Sequence, residues 1–166
     1  MNLRRVGRAA LIGIAALALV AIAAAVIGPT MGLFSGTRPT ALGFPGGRFA
    51  DGDWRPNWVS STVAAADAKH HVAPIAFAGD GARAWTALEA VIAAFPRARV
   101  ITRSPAYLHV EFASRGLGFV DDVEFALDAP ARVVHVKSAA RLGVRDFSVN
   151  RERVEAIRAA LAQRMK

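Results

Sequence analysis

The most conspicuous pattern comes first. From Ala9 to Gly28 the chain runs "AALIGIAALALVAIAAAVIG", twenty residues without a charge, behind Arg4, Arg5 and Arg8. A helix of that length crosses about 30 Å of hydrocarbon. Arginines ahead of such a run stay in the cytoplasm, which puts everything after Pro29 outside it. Small residues at Ala23 to Ala25 also fit a signal-peptide cleavage site. The segment is therefore expected to be a retained signal anchor or a cleaved signal peptide, and its length favours the anchor. Either way the rest of the chain is expected to be extracytoplasmic: periplasmic, on the outer side of the inner membrane, with the N-terminus in the cytoplasm.

From Gly28 to Trp58 no period of 2 or 3.6 survives among the many Gly and Pro residues. This reads as a tether, then an extended segment lying on the domain. The pattern sharpens afterwards. "DGARAWTALEAVIAAFP" is a helix, with Asp80 as its cap, Trp85, Leu88, Val91, Ile92 and Phe95 as its stripe, and Pro96 as its stop. Four alternating segments follow, at 99–102, 107–113, 119–127 and 132–138, with turn residues Pro105, Gly116, Gly118 and Pro130 between them. A last helix begins near Asn150, read as its cap, with Val154, Ile157, Leu161 and Met165 as the stripe.

Short connections between the four strands predict an antiparallel meander. The predicted fold class is α+β: a four-stranded antiparallel meander with two helices packed on one face, preceded by the N-terminal transmembrane or signal helix. The expected organisation is a basic tail at 1–8, the apolar segment at 9–28, a Gly/Pro-rich tether at 29–55 and the domain at 56–166. Leu108, Val110, Phe112, Val123, Phe125, Val134 and Val136 fall on the buried face. Tyr107, His109, Glu111, Asp122, Glu124, His135 and Lys137 fall on the other, which an antiparallel sheet can leave in water.

Alternation also sets the register. A tight loop at 115–118 pairs Glu111 with Asp122 and His109 with Glu124. Across the next hairpin Glu124 faces His135 or Lys137. Asp121 breaks the pattern: its parity sends it to the apolar side, where it is expected to sit at the rim or to pair with an arginine such as Arg103, Arg115 or Arg141.

Charge and composition narrow the classes. The net charge of +8 is dispersed along the chain rather than gathered into a patch, and no nucleic-acid-reading motif accompanies it, so nucleic acid is not an expected partner. With no cysteine, disulfides and thiol chemistry are excluded.

The strings "PNWVSS" (56–61), "DAKHHVAPI" (67–75), "YLHVEFASRGLGFVDDVEFALD" (107–128) and "VHVKSAARLGVRDFSVNRERVEAIR" (134–158) resemble the family called domain of unknown function 1499. The resemblance runs in order across most of 42–160. It implies a domain behind a membrane anchor or signal, and supplies no mechanism. The family pattern carries two cysteines where this chain has Gly52 and Trp58. Their joint replacement fits a disulfide kept or lost as a pair, with Trp58 packing in its place.

Two candidate sites emerge. The first is the polar face: His109, Glu111, Asp122, Glu124, His135 and Lys137. His109, Glu124 and His135 are the residue types of a metal-dependent or hydrolase-like enzyme. The two histidines, however, stand two strands apart, about 9–10 Å. Cross-strand charge pairing accounts for the row more simply. The second is the loop set Arg115, Asp121, Arg141, Asp146, Asn150 and Arg151, for an anion at a helix N-terminus or for structure alone. Ser60 or Ser61 with His70 and Asp67 lacks any nucleophile-elbow context, so the Asp67–His70 pair reads as a loop fastener. No catalytic residue, resident metal or cofactor is assigned. The expected function is a non-catalytic binding module for a protein or a small anionic ligand, attached to the membrane through 9–28, with the enzyme on the polar face as the alternative.

Overall fold

The computed structural model describes residues 3–145 and 147–166. Asp146, one of the loop candidates, lies outside the described residues, as do the first two residues of the basic tail. The helix α1 spans Leu3–Ile27. Then come β1 (Trp58–Ser60), β2 (Ile75–Ala76), α2 (Gly81–Ala94), β3 (Ala98–Ser104), β4 (Tyr107–Ala113), β5 (Val120–Asp128), β6 (Val133–Ala140) and α3 (Val149–Arg164).

The meander β3–β4–β5–β6 is present, antiparallel throughout. The sheet does not end there, which corrects the four-stranded expectation. β1 and β2 both pair with the outer edge of β6, giving six strands in the order β1-β6-β5-β4-β3 with β2 beside β1. Strands of three and two residues are too short to show alternation, so the pattern had nothing to reveal them by.

Both helices of the domain cover one face. Trp85, Leu88, Val91 and Ile92 of α2 and Val154, Ile157 and Leu161 of α3 pack against Leu108, Val110, Phe125, Val123, Val134 and Val136. Asp80 caps α2 as expected, its side chain accepting from the Arg83 N–H at 2.8 Å. The cap of α3 is different. The helix starts at Val149, Ser148 holds the cap position at φ 72°, and Asn150 is wholly buried inside the first turn. Asn150 serves tertiary structure instead: its Nδ2–H donates to the Asn57 carbonyl, and its Oδ1 accepts from Ser138.

The helix α1 stands apart in character. Its apolar side chains remain open, Leu17 at 72% and Ile12 at 70% exposure. Among the described residues no helix is long and apolar enough to cross a membrane; in the apolar run of α1 the described side chains begin at Leu11. Its end is fixed against the domain. Pro29 lies under Gly118 in the β4–β5 loop, and the Phe34 ring meets the Phe119 ring at 5.7 Å.

Candidate functional site

Three rungs cross the second face of the sheet. The middle one is His109–Glu124–Lys137, flanked by Glu111–Asp122–Ala139 and Tyr107–Ala126–His135. The register deduced for Glu111, Asp122, His109 and Glu124 is therefore the one observed, and Lys137 rather than His135 faces Glu124. His135 lies one rung away. It stacks with Phe44 at 5.3 Å, and its Nδ1 lies 3.3 Å from Ser61 Oγ. Among the described residues no three His, Asp or Glu side chains come together as metal ligands.

This face is not wet. His109, Asp122 and Glu124 are 1–3% exposed, and Lys137 is buried with them. The cover comes from the segment before β1, which lies across the sheet as a roof. Arg38 reaches Glu111 with Nη2 at 2.5 Å. The Gly43 N–H donates to Glu124 Oε2 at 2.7 Å. Phe49 is fully buried against Phe44, and the Ala50 carbonyl accepts from Lys137 Nζ at 2.6 Å. The tether thus becomes structure from about residue 38. Alternation gave the correct face, but the face is closed because the Gly/Pro-rich segment folds over it.

Beneath the roof the charges compensate one another. Arg141 Nε and Nη2 donate to both oxygens of Asp122 at 2.7 and 2.8 Å, and Nη2 also bonds Glu111. His109 Nε2 lies 2.7 Å from Asp122 Oδ1. Tyr107 donates its hydroxyl to Glu124 at 2.6 Å. Burial pushes the Tyr107 hydroxyl upward and the Glu124 contact adds to it, so the phenol stays protonated. Burial alone would raise Glu111 and Asp122. The arginine hydrogen bonds outweigh it, joined by His109 for Asp122, and hold both carboxyls below the usual range. Asp122 is thus an anion, and His109 Nε2 carries the hydrogen between them. Arg141 is raised chiefly by its bonds to Asp122. Lys137 is lowered by burial, with Glu124, Asp51 and Asp122 opposing.

A pH dependence follows. Carboxyls depressed in the folded state bind fewer protons than in the unfolded chain, so they add stability above their unfolded pKa of about 4. That stability is fully present at neutral pH and is lost as pH falls below about 5 through the depressed folded values. Urea unfolding at stepped pH should show a falling midpoint below pH 5. In the Glu111→Gln variant the acid-side slope should be shallower.

The second candidate set disperses. Arg141 belongs to the roofed layer. Arg151 donates to the Ala68 and Lys69 carbonyls, tying α3 to the loop before β2. Asp121 does turn to the helix side and does meet an arginine, but it is Arg153, at 2.5 Å. Arg153 also bonds Asn150 and Ser138, and lies 5.0 Å over the Phe112 ring. Arg153 is none of the three arginines expected there, because α3 delivers its first turn to the end of β5, a placement no local pattern encodes. Asp67 and His70 do pair, at 2.9 Å, and the His70 ring stacks on Trp58 at 4.1 Å. This hydrogen bond is the main reason Asp67 is lowered. Ser60 bonds Thr62, and Ser61 bonds the Val136 N–H and the His135 ring, while the His70 ring bonds Asp67 and the Arg55 carbonyl, so the Asp67–His70 pair is not joined to either serine hydroxyl.

A groove of about 710 Å³ runs between the start of α3, the 140–149 loop and the tips of β4 and β5. Phe95, Phe112, Phe119 and Leu142 form apolar walls, and Arg97, Arg115 and Arg145 stand on its rim with Glu152. Arg115, the remaining loop candidate, is exposed there.

An α+β domain with a six-stranded antiparallel sheet, helices on one face and a roofed ionic layer on the other defines the class. Residues 53–161 match the model of the family described as "Protein of unknown function (DUF1499)", and the chain belongs to that family. No curated protein matches the chain.

The Gly52–Trp58 pair now has a geometry. A Cβ on Gly52 would sit 2.4 Å from the Trp58 indole. The indole, 6% exposed, occupies the space and donates Nε1–H to the Asp53 carbonyl at 2.9 Å. The two positions are coupled by contact, as the resemblance implied. Gly52→Ala is expected to destabilise by about 1–3 kcal/mol through overpacking. The same change in a Trp58→Val background should be close to neutral, as read by thermal and urea unfolding.

Proposed function

We propose that the chain is a membrane-anchored extracytoplasmic binding module, with its N-terminus in the cytoplasm and its ligand site in the groove beside α3. The observation that carries this reading is the contrast between the two polar regions. On the roofed face His109, Asp122, Glu124 and Lys137 are buried, and each has an internal partner. At the groove, apolar walls and arginines face outward. A cleft of about 300–1,000 Å³ with few polar groups at its edge is the usual form of a small-ligand site.

Anchoring is supported by the uncharged run at 9–28, by the helical state of α1 and by its exposed apolar side chains. At 1.5 Å per residue, 25 helical residues extend about 37 Å. The arginines ahead of the run support the orientation. The enzyme reading loses its support at His109. Its Nε2–H is engaged by Asp122, and its side chain is 1% exposed.

The chain lacks cysteine, so a single introduced thiol reports topology cleanly. Ala66 is exposed in the loop before β2. In the full-length Ala66→Cys variant, an impermeant maleimide should label intact spheroplasts, and alkaline carbonate should leave the protein in the membrane. Labelling only after lysis, or release by carbonate, would contradict the anchored extracytoplasmic reading.

A further inference from the structure

We infer that the groove takes an acyl chain of an anionic phospholipid drawn from the membrane in which α1 sits, with the headgroup phosphate on the rim arginines. This rests on the proposed anchoring and on the groove as the binding site. Three independent features support it.

The first is position. α1 ends at Ile27, and the next residues touch the groove's own wall. Pro29 and Thr30 line a shallow pocket with Arg97 and Arg115, the same two arginines that stand on the groove rim. Phe34 packs on Phe119, which is a groove residue. No free tether separates the helix end from the groove, so an inserted α1 holds the groove mouth at the membrane surface.

The second is the apolar lip. Leu117, Leu142, Val144, Phe147 and Val149 are all exposed, Phe147 at 87%. Phe147 and Ser148 both adopt positive φ, 51° and 72°. A bulky residue pays strain for that backbone, and its ring turns outward rather than into the core. A cluster of outward apolar side chains around an apolar cleft suits hydrocarbon better than water.

The third is charge. Inside the groove Asp121 is matched by Arg153. At the rim, Arg97, Arg115 and Arg145 stand against Glu152 alone among the described residues. Guanidinium forks match phosphate oxygens, and basic residues at an anionic surface are attracted to it. An acyl chain below and a phosphate above reproduce the groove's own division into apolar walls and basic rim.

The test uses the full chain in nanodiscs of phosphatidylglycerol or phosphatidylcholine, followed by native mass spectrometry of the released protein. One retained phosphatidylglycerol per chain is expected, and at least tenfold less phosphatidylcholine. Ala156 is exposed on α3 and lines the groove. Ala156→Trp fills the groove and should lower retention at least tenfold without shifting thermal unfolding. The Arg97→Glu/Arg115→Glu variant, altered only at exposed positions, should lose the preference for the anionic lipid. Equal retention of both lipids, or retention untouched by Ala156→Trp, would overturn the inference. A parallel thermal-shift titration with decanoate separates it from the reading beneath it. Decanoate binding that Ala156→Trp abolishes, without lipid retention, sinks the lipid and leaves the groove as a site. Neither ligand binding sinks both.

Discussion

Arg141→Leu is expected to lower the unfolding free energy by about 3–5 kcal/mol, the cost of removing one partner from a buried ion pair. Arg141 and Asp122 are 6% and 3% exposed at their side chains. The guanidinium is the shared donor for Asp122 and Glu111, so the variant leaves two carboxylates under the roof short of their main cation. Glu111 keeps Arg38 and Asp122 keeps His109. Those contacts soften the loss without replacing a bidentate arginine. The deficit should shrink as pH falls from 7 to 4, because the variant's two carboxyls, without the arginine, take up protons at higher pH than the depressed wild-type ones. A purely steric defect would persist at pH 4. Urea denaturation at pH 7 and pH 4 separates the two.

Phe49→Ala is expected to cost about 3–5 kcal/mol, the usual range for emptying a buried phenylalanine site. Phe49 is 1% exposed and meets Phe44 edge-on at 4.7 Å. Phe44 in turn lies on His135. The two rings hold the roof down, and the Ala50 carbonyl that takes the Lys137 ammonium follows directly in the chain. Loosening this segment should expose Lys137 to acylating reagents at neutral pH while the helix-side core stays folded. Wild-type Lys137 should react far more slowly than exposed Lys69.

These expectations rest on a face that the sequence described only in part. Alternation along "YLHVEFA" and "VDDVEFALD" placed His109, Glu111, Asp122 and Glu124 on one side and paired them correctly, because register and side are locked together by the two-residue period. Continuing the alternation of β6 past Lys137 and Ala139 also puts Arg141 on that side, a signal present in the chain and easily passed over. What the pattern could not carry was the roof. Residues 38–50 have no strand or α-helix period, and Leu42, Phe44 and Phe49 are scattered among Gly, Pro and Arg. A wet face and a roofed face therefore look alike in β4 and β5 alone. Burial of Asp122 and Glu124 is decided by a segment some eighty residues away.

Asp121 makes the same point from the other side. Its parity called for a place at the rim or an arginine partner on the helix side, and an arginine is there. The identity of Arg153 depends on where α3 begins. Asn150 is not its cap but a buried link from α3 to β6 and to Asn57, just before β1. Residue types that suit helix caps also suit buried hydrogen-bond networks, and only packing distinguishes them. The groove was legible only as scattered arginines and exposed apolar residues, because its walls come from four separate elements.

Native-state hydrogen exchange at the Gly43 amide tests the central claim most directly. That N–H donates to buried Glu124 across the roof. If the ionic face is a sealed structural layer, the Gly43 amide should exchange orders of magnitude slower than an exposed loop amide such as that of Ala65, and Phe49→Ala should release it. Exchange at the free-chain rate, with the β4 and β5 amides still protected, would mean that the roof stands open. The acidic face would then be accessible, and it rather than the groove would be the place to look for chemistry.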